Sequence, residues 1–315
     1  SLFKHRLEFI STLVLGLLMS FLSPQYTLLA GIVLALLLPY NKSRESKARL
    51  WSSKLLQVSV ILLGASLNFN SVLKQGANGA GLTFISIIFV FVLGLLGVKW
   101  LKMNKDQGTL ITMGTAICGG SAIGALAPVI AADGLAIAVS MGVVFLLNAV
   151  AVFIFPFFGE MLALSQEQFG LWSALAIHDT SSVVAASSIY GSKALEVATT
   201  VKLTRALWIV PVTLFFSVYS RKDGSTKVKL PWFIFGFLAL SLIFTFFDLP
   251  LELQETLKKI SKAGFAITLF LIGLTFSMNK IRQVGARPLI FGVVLWILVS
   301  FASLFLVQYA NVFQS

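Results

Sequence analysis

Eleven apolar runs follow one another along this chain, and only short connections separate them. They lie at about Phe9–Leu22, Thr27–Pro39, Leu55–Phe69, Ala80–Val98, Thr109–Ala132, Leu135–Phe158, Phe169–Tyr190, Ala194–Tyr219, Pro231–Phe247, Gly264–Met278 and Pro288–Val307. A membrane helix needs roughly 20 apolar residues, and inside hydrocarbon every backbone polar group must be satisfied within the chain. A series of such runs therefore reads as an all-α polytopic membrane protein. The first two runs are short for a bilayer and call for tilt or flanking residues. No long hydrophilic stretch leaves room for a soluble domain, so residues 1–315 read as one membrane unit.

Composition closes the alternatives. Hydrophobic residues make up 57% of the chain and charged residues 11%, against about 25% charged in soluble globules. Too little charge is present to cover a surface in water, which excludes soluble-enzyme, nucleic-acid-binding and disordered classes. The net charge of +12, from 24 Lys and Arg against 12 Asp and Glu, sits in the connections. There it reads as a topology signal and as contacts to anionic lipid heads. Lys4, Arg6, Lys42–Lys54, Lys99–Lys105, Arg221–Lys229 and Lys280–Arg287 fall on one side if the N-terminus is cytoplasmic and the C-terminus outside. Lys193 and the Lys258, Lys259, Lys262 cluster fall on the other side, the cluster accompanied by Asp248, Glu252 and Glu255. The first run has the basic-then-apolar layout of a signal peptide, but its cleavage pattern is poor and a second run follows, so it reads as a retained helix. Cys118, the one cysteine, reads as a small packing residue.

Two runs carry small residues with a polar or Gly centre. Gly108–Gly134 contains Cys118-Gly119-Gly120, and Gly170–Gly191 contains His178-Asp179-Thr180. Shifted by 60 residues they share Ala116/Ala176, Ile117/Ile177, Ser121/Ser181, Ile123/Val183 and Ala125/Ala185. A second echo links Leu62–Gly76 with Leu271–Gly285, through Gly64/Gly273, Ser66/Thr275, Asn70/Asn279 and Gly76/Gly285. The offsets differ, so one tandem duplication does not explain both. An inverted repeat accounts for opposed directions in the second echo, with chance as the alternative for at least one. The two runs read alike, either as discontinuous spans or as re-entrant hairpins.

A break inside a span lines a cavity or is buried in protein. The second half-helix then offers free N–H groups at a partly positive end. Gly119 and Gly120 let a ligand approach the backbone, and Ser121 can cap; Thr180, Ser181 and Ser182 can do the same in the other run. Two such ends make a candidate anion site; the plain alternative is tight helix packing, which the Gly120-x-x-x-Gly124 spacing also fits. His178 and Asp179 form the one His–Asp pair, a candidate for the coupling H⁺ or Na⁺. As alternatives, Asp179 only caps and His178 only satisfies a carbonyl. Lys202 and Arg205, three apart on one helix, can ligate an anion or pair with Asp179; snorkelling to the surface is the alternative. Asn148, Asn68, Asn70 and Gln57 more often bond neighbouring helices than touch substrate. Asp133 reads as a helix cap. No metal site or ATP motif is present in the sequence.

At "GTAICGGSAIGALAPVI", "AIHDTSSVVAAS" and "VKLTRALWIVP" the chain resembles the YeiH-like sulfate exporter family of bacterial integral membrane proteins. The resemblance runs essentially along the whole chain, with relatives among cation:proton antiporters and anion transporters. It implies two inverted repeats, a mobile core with broken helices around 109–219 plus parts of 55–76 and 264–285, and a scaffold that often dimerises. It also implies secondary transport of a small anion, sulfate or a sulfonate, across the inner membrane. A cation-only antiporter using Asp179 is the first rival. An intramembrane hydrolase is the second; as an aspartyl enzyme it needs Asp133 beside Asp179, and as a serine enzyme Ser121 or Ser181 beside His178. No enzymatic activity and no cofactor are expected.

Overall fold

A computed structural model describes residues 24–39, 41–220, 232–247, 249–275 and 284–309. Their regular structure is entirely helical, so the chain is an all-α polytopic membrane protein. In chain order the helices are α1 (Pro24–Leu37), α2 (Lys42–Gly64), α3 (Phe69–Trp100), α4 (Lys105–Ala116), α5 (Gly120–Val129), α6 (Gly134–Met161), α7 (Gln166–Ala176), α8 (Thr180–Tyr190), α9 (Ser192–Ala206), α10 (Ile209–Ser220), α11 (Phe233–Phe246), α12 (Leu251–Leu274) and α13 (Ala286–Tyr309). Among the described residues, four spans are long and apolar enough to cross a membrane: α3, α6, α9 with α10, and α13. The run Phe9–Leu22 lies outside the described residues, as do Lys4, Arg6, Arg221–Lys229, Lys280, Arg282 and Asn279.

Several helices outrun their apolar cores. The sequence expects a span from Leu55, yet α2 starts at Lys42 and takes the basic connection into the helix. Asn41 makes this possible: its side chain accepts from the N–H groups of Ser43 and Arg44 at 2.9 and 3.3 Å, and Lys, Arg and Glu are good helix formers. Helix α12 likewise starts at Leu251 instead of Gly264. Conversely, the run Ala194–Tyr219 breaks at Leu207–Trp208 into α9 and α10. Pro211 lies four residues beyond Leu207 and has no N–H to give its carbonyl. Both small-residue runs are broken as expected, giving the pairs α4–α5 and α7–α8.

The described chain divides into two compact units. The first holds residues 24–72 and 232–275. Here α1 and α11 share their bounds under a shift of 209 residues (24 to 233, 37 to 246), and the starts of α2 and α12 follow it (42 to 251). Contacts repeat under the same shift. A Cβ on Gly64 would meet the Phe237 carbonyl, and a Cβ on Gly273 would meet the Leu28 carbonyl. Gly64 and Gly273 are equivalent, and so are Leu28 and Phe237, so one contact is made twice with the halves exchanged. That is the relation a local two-fold imposes. The Ser66 and Thr275 hydroxyls, also equivalent, each donate to the carbonyl three residues back, at 2.8 and 2.7 Å.

The second unit holds residues 73–220 and 284–309. Helix α7 packs on α9 and α13, and α6 packs on α4 and α8. An aromatic stack of Phe155, Trp172 and Trp296 ties α6, α7 and α13 together, with centroids 4.3 and 5.9 Å from Phe155. Both indoles use their polar end: Trp172 donates to the Ser300 carbonyl and Trp296 to the Ala176 carbonyl, at 2.9 and 3.1 Å. This frame holds the two breaks.

Candidate functional site

Each break leaves a C-terminal helix end and an N-terminal helix end inside the second unit. Between α4 and α5 the chain turns at Ile117–Gly119, with Gly119 at φ 62°. Its N–H returns to the Gly114 carbonyl at 2.8 Å. Between α7 and α8 the residues Ile177 and Asp179 are extended, at ψ 138° and 147°.

Carbonyls at the end of a helix have no intrahelical donor. In hydrocarbon they would be orphaned, and here two cations from α9 take them. Lys202 Nζ donates to the carbonyls of Ile117, Ala174 and Ile177 at 3.1, 3.3 and 2.7 Å. Arg205 donates through Nε to Ala116 at 2.7 Å, through Nη1 to Leu175 at 2.6 Å and through Nη2 to Thr115 at 3.3 Å. The 60-residue echo now has a geometric content. Ile117 and Ile177 are equivalent, as are Thr115 and Leu175, and each cation bridges one equivalent pair. Both side chains are sealed, at 1% and 0% exposure, so neither snorkels. Their positive charge lies against the negative ends of α4 and α7, which is favourable.

Asp179 works across the crossing. It is the N-cap of α8 but makes no side-chain cap there. Oδ1 instead accepts from the Gly120 N–H at 3.0 Å, at the start of α5. Oδ2 accepts from Asn148 Nδ2 at 2.8 Å, and Asn148 Oδ1 accepts from the Asp179 N–H at 3.0 Å. Asn148, at mid-length in α6, therefore grips this aspartate by both its side chain and its backbone.

The remaining expected residues fall around this point. His178 is buried, with Nε2 3.1 Å from Thr115 Oγ1. The Thr115 hydroxyl gives its own hydrogen to the Ile111 carbonyl at 2.9 Å, so Nε2 is the donor to it. Nδ1 has no partner. Ser181 and Ser182 are buried, whereas Ser121 is exposed and Gly120, Asp179 and Thr180 are half-buried. The start of each second half-helix thus forms the open side, and Lys202, Arg205 and His178 form the sealed side. Asp133 stays with its own helix, accepting from the Ala136 N–H at 2.6 Å. The roles of Thr115 and Trp296 carried no sequence signal. That of Asn148 did, as an amide inside an apolar run.

Gly119 is where the crossing tolerates least change. A Cβ there would run into Asp179 Oδ1, in a backbone conformation that L side chains rarely adopt. Gly119→Ala is expected to cost about 1–3 kcal/mol from the backbone alone and to push the carboxylate off Gly120. The check is the melting temperature of the purified variant. An unchanged value would show that the two breaks are not in contact.

A family model described as conserved hypothetical protein 698 matches residues 9–292. A UPF0324 membrane protein of Bdellovibrio bacteriovorus is 45% identical, over 90% of this chain and 88% of its own length. One from Porphyromonas gingivalis is also 45% identical, over 90% and 87%. One from Shewanella oneidensis is 42% identical, over 97% and 95%. No solved structure matches the chain.

Proposed function

The chain belongs to the conserved hypothetical protein 698 family, whose UPF0324 relatives are named as membrane proteins, and from that premise we propose that it is a secondary transporter of a small anion. The observation that carries this is the excess of buried positive charge beside open helix N-termini. Lys202 and Arg205 stand against one carboxylate, Asp179, and nothing caps the start of α8. An unpaired buried charge is costly, and a bound anion relieves it. Half-helix N-termini facing a mid-membrane site are a recurrent device for anionic substrates.

In this reading the fold is an inverted-repeat transporter in the bacterial inner membrane, with its N-terminus cytoplasmic. The repeated contacts under the 209- and 60-residue shifts support the repeats. Asp179 takes the coupling H⁺ or Na⁺. Its position supports this, because its Oδ1 bond to Gly120 links the two breaks and its Oδ2 bond ties it to Asn148 of α6, so occupying it with a cation competes with the crossing. The sulfur oxyanions suggested by the exporter resemblance are the first substrates to try. Intramembrane hydrolysis has little support, since Asp133 is engaged on α6 and Asp179 on Gly120 and Asn148.

The test is flux in proteoliposomes under an imposed pH or Na⁺ gradient. Uptake that requires both the gradient and an anion is expected. Proton or Na⁺ exchange that proceeds unchanged without any transportable anion would replace this reading with the cation antiporter. Thiol labelling checks the open side independently. In a Cys118→Ala background, Ser121→Cys is expected to react readily with a small charged thiol reagent, and Ser181→Cys roughly tenfold more slowly in line with its burial. Inertness at Ser121→Cys would mean that this side faces lipid.

A further inference from the structure

The charges at the crossing do not cancel, and the remainder can be counted. Lys202 Nζ has three carbonyl acceptors, which use all three N–H groups of an ammonium. Both oxygens of Asp179 accept from N–H donors, the arrangement of a carboxylate. Helix ends offset one another: two C-termini of about −0.5 each face two N-termini of about +0.5 each. Side chains therefore decide the balance, two cations against one anion.

No other carboxylate of the described unit enters the count. Asp106 and Glu167 lie in the first turns of α4 and α7, Glu160 at the end of α6, and Asp133 before it. Glu196 pairs with Lys193 at 3.3 Å. His178, 1% exposed, adds no negative charge and leaves Nδ1 unpartnered beside the break. The N–H groups of Thr180, Ser181 and Ser182 precede the first helical bond of α8, from Val183 to the Asp179 carbonyl, and no side chain caps them.

Resting on the anion-transport reading above, we propose that this crossing is built for one singly charged anion, seated on the N–H groups at the start of α8. The two cations lie behind it with their donors committed to carbonyls, so they act through charge and not through contact. A doubly charged anion overshoots the balance by one. It binds only when Asp179 takes up a proton, so that two negative charges meet two positive ones.

Methanesulfonate and sulfate provide the test, since they share a sulfur–oxygen head and differ in charge. Calorimetric titration of the purified wild-type protein, at neutral pH and constant ionic strength, is expected to give methanesulfonate at least about tenfold tighter binding. Repeating both titrations in two buffers of different ionisation enthalpy is expected to show about one proton taken up with sulfate and none with methanesulfonate. Asp179→Asn is expected to shift the preference toward sulfate by about tenfold or more and to abolish the proton uptake. Sulfate bound as tightly as methanesulfonate by the wild type, with no proton uptake, overturns the charge count while leaving anion transport standing. Binding of neither anion overturns both. The wild-type titrations decide the matter even if the variant fails to fold.

Discussion

Arg205→Ala unfolds the site before it tests substrate binding. The substitution strips donors from the carbonyls of Thr115, Ala116 and Leu175, all buried at the ends of α4 and α7. A buried polar group left without its partner costs about 1–3 kcal/mol, so three come to roughly 3–9 kcal/mol, comparable with the whole stability of a domain at about 5–15 kcal/mol. The expected result is loss of the folded protein from detergent extracts, or a melting temperature lowered by well over ten degrees. Arg205→Lys keeps the charge and can reach one or two of the carbonyls, so it falls between. Reading Arg205 as a substrate fork expects lost affinity with normal melting. Finding that pattern would show that the three carbonyls have other donors and would return the guanidinium to the substrate.

Asp179→Asn gives the second large effect, this time on activity. The carboxylate accepts on both oxygens, from Gly120 and from Asn148. An amide can accept on one side only, so one of its N–H groups must face a donor, at a cost of about 1–3 kcal/mol. It also carries no charge to exchange for H⁺ or Na⁺. Gradient-driven uptake in proteoliposomes is expected to fall at least about a hundredfold, while the protein still inserts and purifies. Wild-type coupling in this variant, with the same response to pH, would reduce Asp179 to a clasp between two helices. Asn148→Ala separates the two roles. It removes the grip and leaves the charge, so a partial loss of transport with coupling intact is the expected result.

Legibility from sequence followed the physics of each feature. The runs were visible because hydrocarbon demands them, and both breaks were visible because Gly119-Gly120 and His178-Asp179 cannot continue an apolar helix unnoticed. The helical extensions at Lys42 and Leu251 were not, since a basic stretch outside the bilayer carries no hydropathy signal, and the cap at Asn41 is a single residue. Lys202 and Arg205 were singled out as charges out of place. Their targets were hidden, because main-chain carbonyls are common to every residue and a list of side chains does not show which ones a cation meets. The pairing of Asp179 with Gly120 was hidden for the same reason. Asn148 stood out only as an amide within an apolar run, and nothing along the chain gave its distance from Asp179.

The exchanged contacts of Gly64 with Phe237 and of Gly273 with Leu28 carry a consequence in time. Helices α1 and α2 leave the ribosome well before their partners α11 and α12, which come about 209 residues later (24 to 233). At roughly 5–20 residues per second, that is an interval on the order of 10–40 s. Throughout it the late helices on which Gly31 and Gly64 pack are not yet made. The second unit, by contrast, has nearly all of its helices in one unbroken stretch. A membrane chain assembled in this order stands or falls with its late helices: a truncation after α10 leaves the early pair permanently unmatched and also takes Trp296 of α13 out of the frame that holds the breaks.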